Sequence, residues 1–228
     1  MDDDLDLLDF DGVCRLFPLP GVVLFPHAVL PLHIFEPRYR QMTEDALDSD
    51  RLIAIVQIRD DVDWDGEGEP PIADVACLGK ILKHERLADG RFNVLLQGRK
   101  RARIIREIDV PTLYRQARVD LLDDLEPLAD PAEDTELLVG LFREVASRVE
   151  GLSPEMSSIL GAGLPLGVLT DLVAQSLGIP GGLKQAFLDD RVVERRARGL
   201  TSLLRQVVGH LKSESQASRS FPPPFSQN

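Results

Sequence analysis

Between Leu16 and Leu47 the chain reads LFPLPGVVLFPHAVLPLHIFEPRYRQMTEDAL, an apolar run broken by Pro18, Pro20, Pro26, Pro31 and Pro37. Proline has no amide to give to a central ladder, so each one marks a strand end, an edge or a turn. The pattern predicts short strands over 16–19, 22–25 and 30–35, then a helix opening at Pro37, where a missing N–H costs no helical bond. Residues 52–58 (LIAIVQI) are almost wholly apolar and suit a strand buried on both faces. Residues 60–74 are acidic and rich in Gly and Pro, which reads as a long loop. Residues 75–85 and 92–98 read as two strands around a turn at 88–90, with Gly79 and Gly98 as bends that curl a small sheet into a barrel. Two further strands are expected over 101–108 and 114–122, separated by Pro111.

After a linker at 123–131 the apolar period becomes helical. Asp130 is placed to cap, Pro131 sits in the first turn, and Glu133 and Asp134 suit the helix dipole. Leu137, Leu138, Leu141, Phe142, Val145 and Val149 then share one face, and Gly151 stops the helix. A short helix is expected from Pro154 to Leu160. Another carries Leu166, Leu169, Leu172, Val173 and Leu177 and ends at Gly178, with Pro180 just beyond. A short helix follows over 183–188, and the last stripe runs Leu200, Leu203, Leu204, Val207, Val208, Leu211. The chain thus divides into an acidic mobile arm (1–12), a β subdomain (13–122), the linker, a helical bundle (132–212) and a disordered Pro/Ser-rich tail (213–228). The class is α+β.

Composition narrows the function. A chain of 228 residues can bury a real core, and no apolar run approaches the length of a membrane span. The acidic N-terminus has the wrong sign for a secretory signal, so a cytoplasmic setting is expected. A formal net charge of -12 opposes attraction to phosphate backbones, which disfavours nucleic acid, and no membrane partner is expected. Cys14 and Cys77 cannot build a disulfide scaffold or a zinc ribbon and read as buried thiols. His27, His33, His84 and His210 lack metal-site spacing. A phosphate-gripping G-x-x-x-x-G-K-[ST] loop, a G-x-S-x-G elbow and a dinucleotide fingerprint are all missing. No catalytic residue, cofactor or metal is expected.

Three patches carry a family likeness. The run from Leu16 to Leu47 resembles the opening of the Lon N-terminal, or substrate-binding, domain, and its FEPRY form resembles stand-alone bacterial Lon-domain proteins. LLQGRKRARI resembles that family's GxxR strand pair through Gly98 and Arg101. Lys184, Gln185, Leu188 and Arg195 stand where its KQ…LL…R pattern puts them, with Phe187 in one leucine position. The likeness runs from about Val13 to Lys212. It implies an N-terminal PUA-like β pseudobarrel followed by a C-terminal helical bundle. It also implies a non-catalytic, proteolysis-related protein-binding module without the ATPase and protease domains. The implied partners are unfolded or degron-bearing protein segments, with a separate Lon-type protease as a further candidate.

Candidate binding residues follow from this reading. Glu36 and Arg38 flank Pro37 at the helix start and are read either as cap and ion pair or as the rim of a peptide-binding surface. Tyr39 is expected in the core with its hydroxyl at the edge. Trp64, the only tryptophan, lies in a polar loop where an exposed ring would anchor a partner. Arg99 and Arg101 belong to the one basic run, 99–106, where alternation sets Arg99, Arg101 and Arg103 on one strand face. That run supports the alternative of an RNA-binding PUA-like module, although interleaved aromatics for base stacking are missing. A second alternative is a scaffold recruiting partners through its tails, with Phe221 and Phe225 as anchors.

Overall fold

A computed structural model describes residues 7, 10–148 and 163–219, with side chains up to 212. Its strands are β1 (Val13–Pro20), β2 (Val29–Ile34), β3 (Leu52–Ile58), β4 (Val75–Arg86), β5 (Phe92–Ile108) and β6 (Gln116–Leu122). Its helices are α1 (Pro37–Leu47), α2 (Ala132–Ala146), α3 (Leu166–Ser176), α4 (Gly181–Asp189) and α5 (Val193–Arg219). The chain divides into two compact units. One is Met1–Leu125 with Ala174–Arg191; the other is Glu126–Val173 with Val192–Asn228. The sequence places 132–212 in one helical bundle, whereas the structure counts Ala174–Arg191, and so α4, with the β unit.

The β unit is a closed ring. β1 runs parallel to β3, β3 antiparallel to β4, β4 to β5, β5 to β6, and β6 returns to β1. β2 hangs outside the ring on the first half of β5. Small and branched side chains fill the interior, among them Leu16, Ala54, Val56, Ala76, Leu78, Ala102 and Ala117.

β1 extends beyond the 16–19 expected, in spite of Pro18 and Pro20. The Leu16 N–H donates to Arg115 on the β6 side, so strand alternation turns the nitrogens of Pro18 and Pro20 that way too. Pairing with β6 ends at Arg15, so no neighbouring strand there needs their missing amides. Residues 22–25 are not a strand. Val23, Leu24 and Phe25 are buried on irregular backbone after Gly21, whose φ of 67° turns the chain. Their apolar character reflects core filling, and the Phe25 N–H donates to the Gln175 side chain rather than to a ladder.

The strands expected over 92–98 and 101–108 are one strand of 17 residues. Pairing passes from Leu78↔Lys100 to Gly79↔Gly98, which leaves Arg99 as an extra residue. Such a bulge leaves one residue unpaired and bends the strand without ending it. The first half of β5 therefore serves β2, the second half serves β6, and β4 pairs with both. Gly98 sits under the turn before β2. Its N–H donates to Ala28 and its carbonyl accepts from His27, each at 2.8 Å.

α4 completes this unit. Gln185 Nε2 donates to the Val75 carbonyl, and Arg101 Nε donates to the Leu188 carbonyl. In the other unit α2 packs along α5. There Arg196 is buried with Asp171 at 3.6 Å and donates to Thr170 Oγ1 at 3.1 Å. Asp130 accepts the Ala132 N–H at 3.1 Å, but the N-cap of α2 is Pro131, one residue later than the capping pattern expects. The helix expected over 154–160, most of the arm 1–12 and the tail anchors Phe221 and Phe225 lie outside the described residues.

Candidate functional site

A groove of about 590 Å³ lies across β2, β5 and β4. Register builds it in rows. Pro31, Leu95 and Lys83 stand abreast, and so do His33, Asn93 and Glu85. The second row is hydrogen-bonded across all three strands: His33 Nδ1 meets Asn93 Oδ1 at 2.8 Å, and Asn93 Nδ2 donates to Glu85 Oε2 at 3.0 Å. Between the rows Leu32 and Val94 turn their side chains to the other face, where Val94 is buried. Pro31 and Leu95 give the groove an apolar middle, while the second row and Lys83 give it a polar rim.

Exposed apolar residues continue along β2. Val29, Pro31, His33 and Phe35 share one parity; Val29 is 45% exposed and Phe35, just past the strand, 60%. The His33 and Phe35 rings stack at 6.3 Å between centroids. Among the described residues β2 pairs with β5 alone, so its other edge carries no ladder.

Of the six candidates, the structure brings Glu36, Arg38 and Tyr39 together at the end of β2. Arg38 Nε donates to Glu36 Oε2 at 3.0 Å, and the guanidinium lies 4.6 Å over the Tyr39 ring. Glu36 caps no helical N–H with its carboxylate, because Arg38 holds it; its backbone carbonyl accepts from Tyr39 and Arg40. Tyr39 is buried against Phe17, and burial raises its phenol pKa. Trp64 is exposed in the β3–β4 loop, where its Nε1 donates to the Glu67 carbonyl, and it is not part of the groove. Arg99 is the half-buried bulge residue.

Arg101 corrects the expectation of a surface residue. It is 2% exposed and ion-pairs with Asp124 at 3.1 Å. The bulge also breaks the alternation assumed for the basic run, and Lys100 pairs with Asp123 at 2.7 Å. Only Arg103 and Arg106 of that run stand exposed, so it makes no continuous basic face. The Cys14 thiol is pushed up to about 12, chiefly by burial, which leaves no reactive thiolate at neutral pH. Among the described residues no cluster of metal-ligating side chains occurs.

Sequence reasoning missed Pro31, His33, Lys83, Glu85, Asn93 and Leu95. Alternation in LPLHIF marks His33 as facing away from Leu32 and Ile34, but cross-strand partners depend on register, which no single strand encodes.

This mixed α/β fold matches the structures of Lon N-terminal domains, and a PUA-like reading of the β ring is consistent with that match. Residues 13–206 match the profile of the ATP-dependent protease La (LON) substrate-binding domain, and the chain belongs to that family. Among relatives, Lon protease of Desulfatibacillum aliphaticivorans is 29% identical over 187 residues, 78% of this chain and 22% of that protease. Lon protease of Azorhizobium caulinodans is 24% identical over 208 residues, 90% of this chain and 24% of that protease. The chain thus spans about a quarter of the length of the curated relatives it matches. A Lon N-terminal domain protein from Xanthomonas campestris superposes with a TM-score of 0.62 at 21% identity, covering 83% of this chain and 97% of that one. The N-terminal domain of Mycobacterium avium complex Lon protease gives 0.65 at 17% identity, covering 85% and 98%. The likeness is to the substrate-binding domain of Lon and not to its catalytic protease domain. No helix among the described residues is long and apolar enough to cross a membrane.

Proposed function

We propose that this chain is a non-catalytic protein-binding module whose β2–β5–β4 groove holds exposed apolar segments of unfolded or degron-bearing proteins. The groove carries this reading: an apolar middle, a polar rim and, beside them, an edge strand with Val29 and Phe35 standing in solvent. An extended segment lying over this face sets its side chains against Pro31 and Leu95, and the unpaired edge of β2 beside it offers backbone bonds to the continuing chain. Pro31 limits the same edge as a template for uncontrolled sheet growth. The family's description as a substrate-binding domain supports a protein ligand. Delivery of that ligand to a separate Lon-type protease is part of the proposal.

The test is fluorescence anisotropy of a labelled, permanently unfolded protein titrated with the chain at two salt concentrations. Saturable binding that survives added salt is expected. Phe35→Ser, an exposed site that leaves the core intact, should weaken it by about 10-fold, the worth of one aromatic anchor. Unchanged affinity in Phe35→Ser and Leu95→Asp would remove the groove from the account. Binding of a labelled RNA in its place, lost as salt rises, would move the function to Arg103 and Arg106.

A further inference from the structure

The basic run makes no continuous face by itself, but the ladder from β5 to β6 brings another arginine to it. Pairing runs to Ile104↔Val119, and the next pair is Arg106↔Arg118. In unbroken register Ile105 would stand opposite Arg118. A bulge passes over Ile105, which is 50% exposed, and sets Arg106 there instead. Two arginines therefore stand directly opposite each other, an arrangement that destabilises a sheet. Arg103 lies in the next row, abreast of Asp120. All four of these side chains are exposed on the outer face, because Ala102, Ile104 and Val119 pack into the ring interior. Val13 of β1 extends the row of Arg118.

Other arginines near this face are matched. Arg15 pairs with Asp50 at 2.7 Å, Arg101 pairs with Asp124 at 3.1 Å, and Arg115 Nε donates to Glu107 at 2.7 Å. Glu107, next to Arg106, is thus already held, and Asp11 gives a carboxylate oxygen to the Val13 N–H at 2.9 Å. Arg103, Arg106 and Arg118 make no ion pair or side-chain hydrogen bond among the described residues. Three arginines less Asp120 leave two positive charges on one face of a chain whose net charge is -12. A bulge that creates a like-charge pair does not help the fold. What it supplies is two guanidinium forks side by side, the arrangement that receives a carboxylate. Ile105 adds an exposed apolar contact beside them. Asp120 and the acidity of the whole chain oppose a phosphate backbone, and none of these residues is an aromatic on which a base could stack.

We propose that this face binds an acidic segment of a partner protein, with one carboxylate held between Arg106 and Arg118, a second two residues along at Arg103, and an apolar side chain against Ile105. It uses none of the residues that line the β2–β5–β4 groove, and its test does not depend on that reading.

The experiment is fluorescence anisotropy of a labelled, blocked peptide Asp-Leu-Asp-Leu-Asp titrated with the full chain. The comparison probes are Asn-Leu-Asn-Leu-Asn and a labelled oligouridine. Saturable binding that weakens with added salt is expected for the aspartate peptide, and none for the asparagine peptide. Arg118→Gln should weaken binding about 3-fold and the double change Arg106→Gln with Arg118→Gln about 10-fold, the scale of one and of two exposed charge pairs. Arg118→Gln should also leave the chain at least as stable in urea, because it removes the facing like charge; an arginine kept for the fold would lose stability instead. The proposal is overturned if the aspartate peptide does not bind up to the millimolar range, if the asparagine peptide or the oligouridine binds as tightly, or if the double variant keeps its affinity. Binding that appears only after residues 1–6 are removed would make the chain's own acidic arm the occupant and would overturn a partner in that place.

Discussion

Gly98→Ala tests how the outer strand is fastened to the ring. A Cβ on Gly98 would stand 2.1 Å from the Phe25 carbonyl oxygen and 2.8 Å from its carbon, well over an ångström short of ordinary contact. The obstacle is backbone, and the same segment is tied to Gly98 by the His27 and Ala28 hydrogen bonds. Relief therefore means pushing the turn off β5. Two backbone bonds at about 1 kcal/mol each, plus overpacking of about 1–3 kcal/mol, give a loss of roughly 3–5 kcal/mol. Two other glycines calibrate the figure. Gly79→Ala meets the buried Leu96 side chain at 2.8 Å and the Gln97 carbonyl oxygen only at 3.2 Å, and should cost about 1–3 kcal/mol. Gly21→Ala meets nothing within 4 Å and should cost about 1 kcal/mol for its left-handed backbone alone. Urea denaturation gives the ranking, and amide exchange on β4 and β5 peptides reads the β unit separately from the helical one. If Gly98→Ala proves no more damaging than Gly21→Ala, the turn is not anchored at the bend and the reasoning fails.

Two further outcomes are expected. Both tyrosines of the chain, Tyr39 and Tyr114, hold their phenol protons above the ordinary range. Tyr114 is pushed up to about 12, first by burial and then by its O–H donating to Asp45. A raised folded-state pKa adds stability that is full below the unfolded value of about 10 and is lost as pH rises through the folded value. Ultraviolet difference titration should show no phenolate step near pH ~10 in the folded chain and a normal one in urea; a normal step in the folded chain would contradict the burial of both rings. Arg196→Met leaves the Asp171 carboxylate buried without its ion-pair partner and should cost about 3–5 kcal/mol, with Asp171→Leu recovering part of it in the double variant. A loss under about 1 kcal/mol in calorimetry would show that water reaches the pair.

Much of the fold is legible where a pattern is local. The buried strand 52–58, the turn at 88–90 and the proline start of α1 need only neighbouring residues, and each stands as the sequence reads it. The misreadings have non-local causes. Residues 22–25 look like a strand because a core-filling segment shares its composition, and only tertiary packing tells the two apart. β5 looks like two strands because a glycine bend with a bulge and a chain break share one signature. Arg101 looks solvated because an arginine within a basic run carries no mark of Leu188 or Asp124, which lie far off along the chain. The groove rows depend on register, and the bond from Gln185 to the Val75 carbonyl depends on a helix that arrives more than a hundred residues after β3.

That late arrival governs how the protein is made and how it breaks. The backbone passes between the two units three times, at 125–126, 173–174 and 191–192. Residues 1–125, once synthesised, still lack the helix that receives Arg101 and bonds Val75. The β unit is finished only when the ribosome has passed Arg191, after most of the helical unit has been translated. A protease that nicks the exposed Leu128 cuts one passage of three. Residues 174–191 would stay seated through Arg101, Gln185 and the Arg191 bond to Asp123, so the two fragments should elute as one species until denatured.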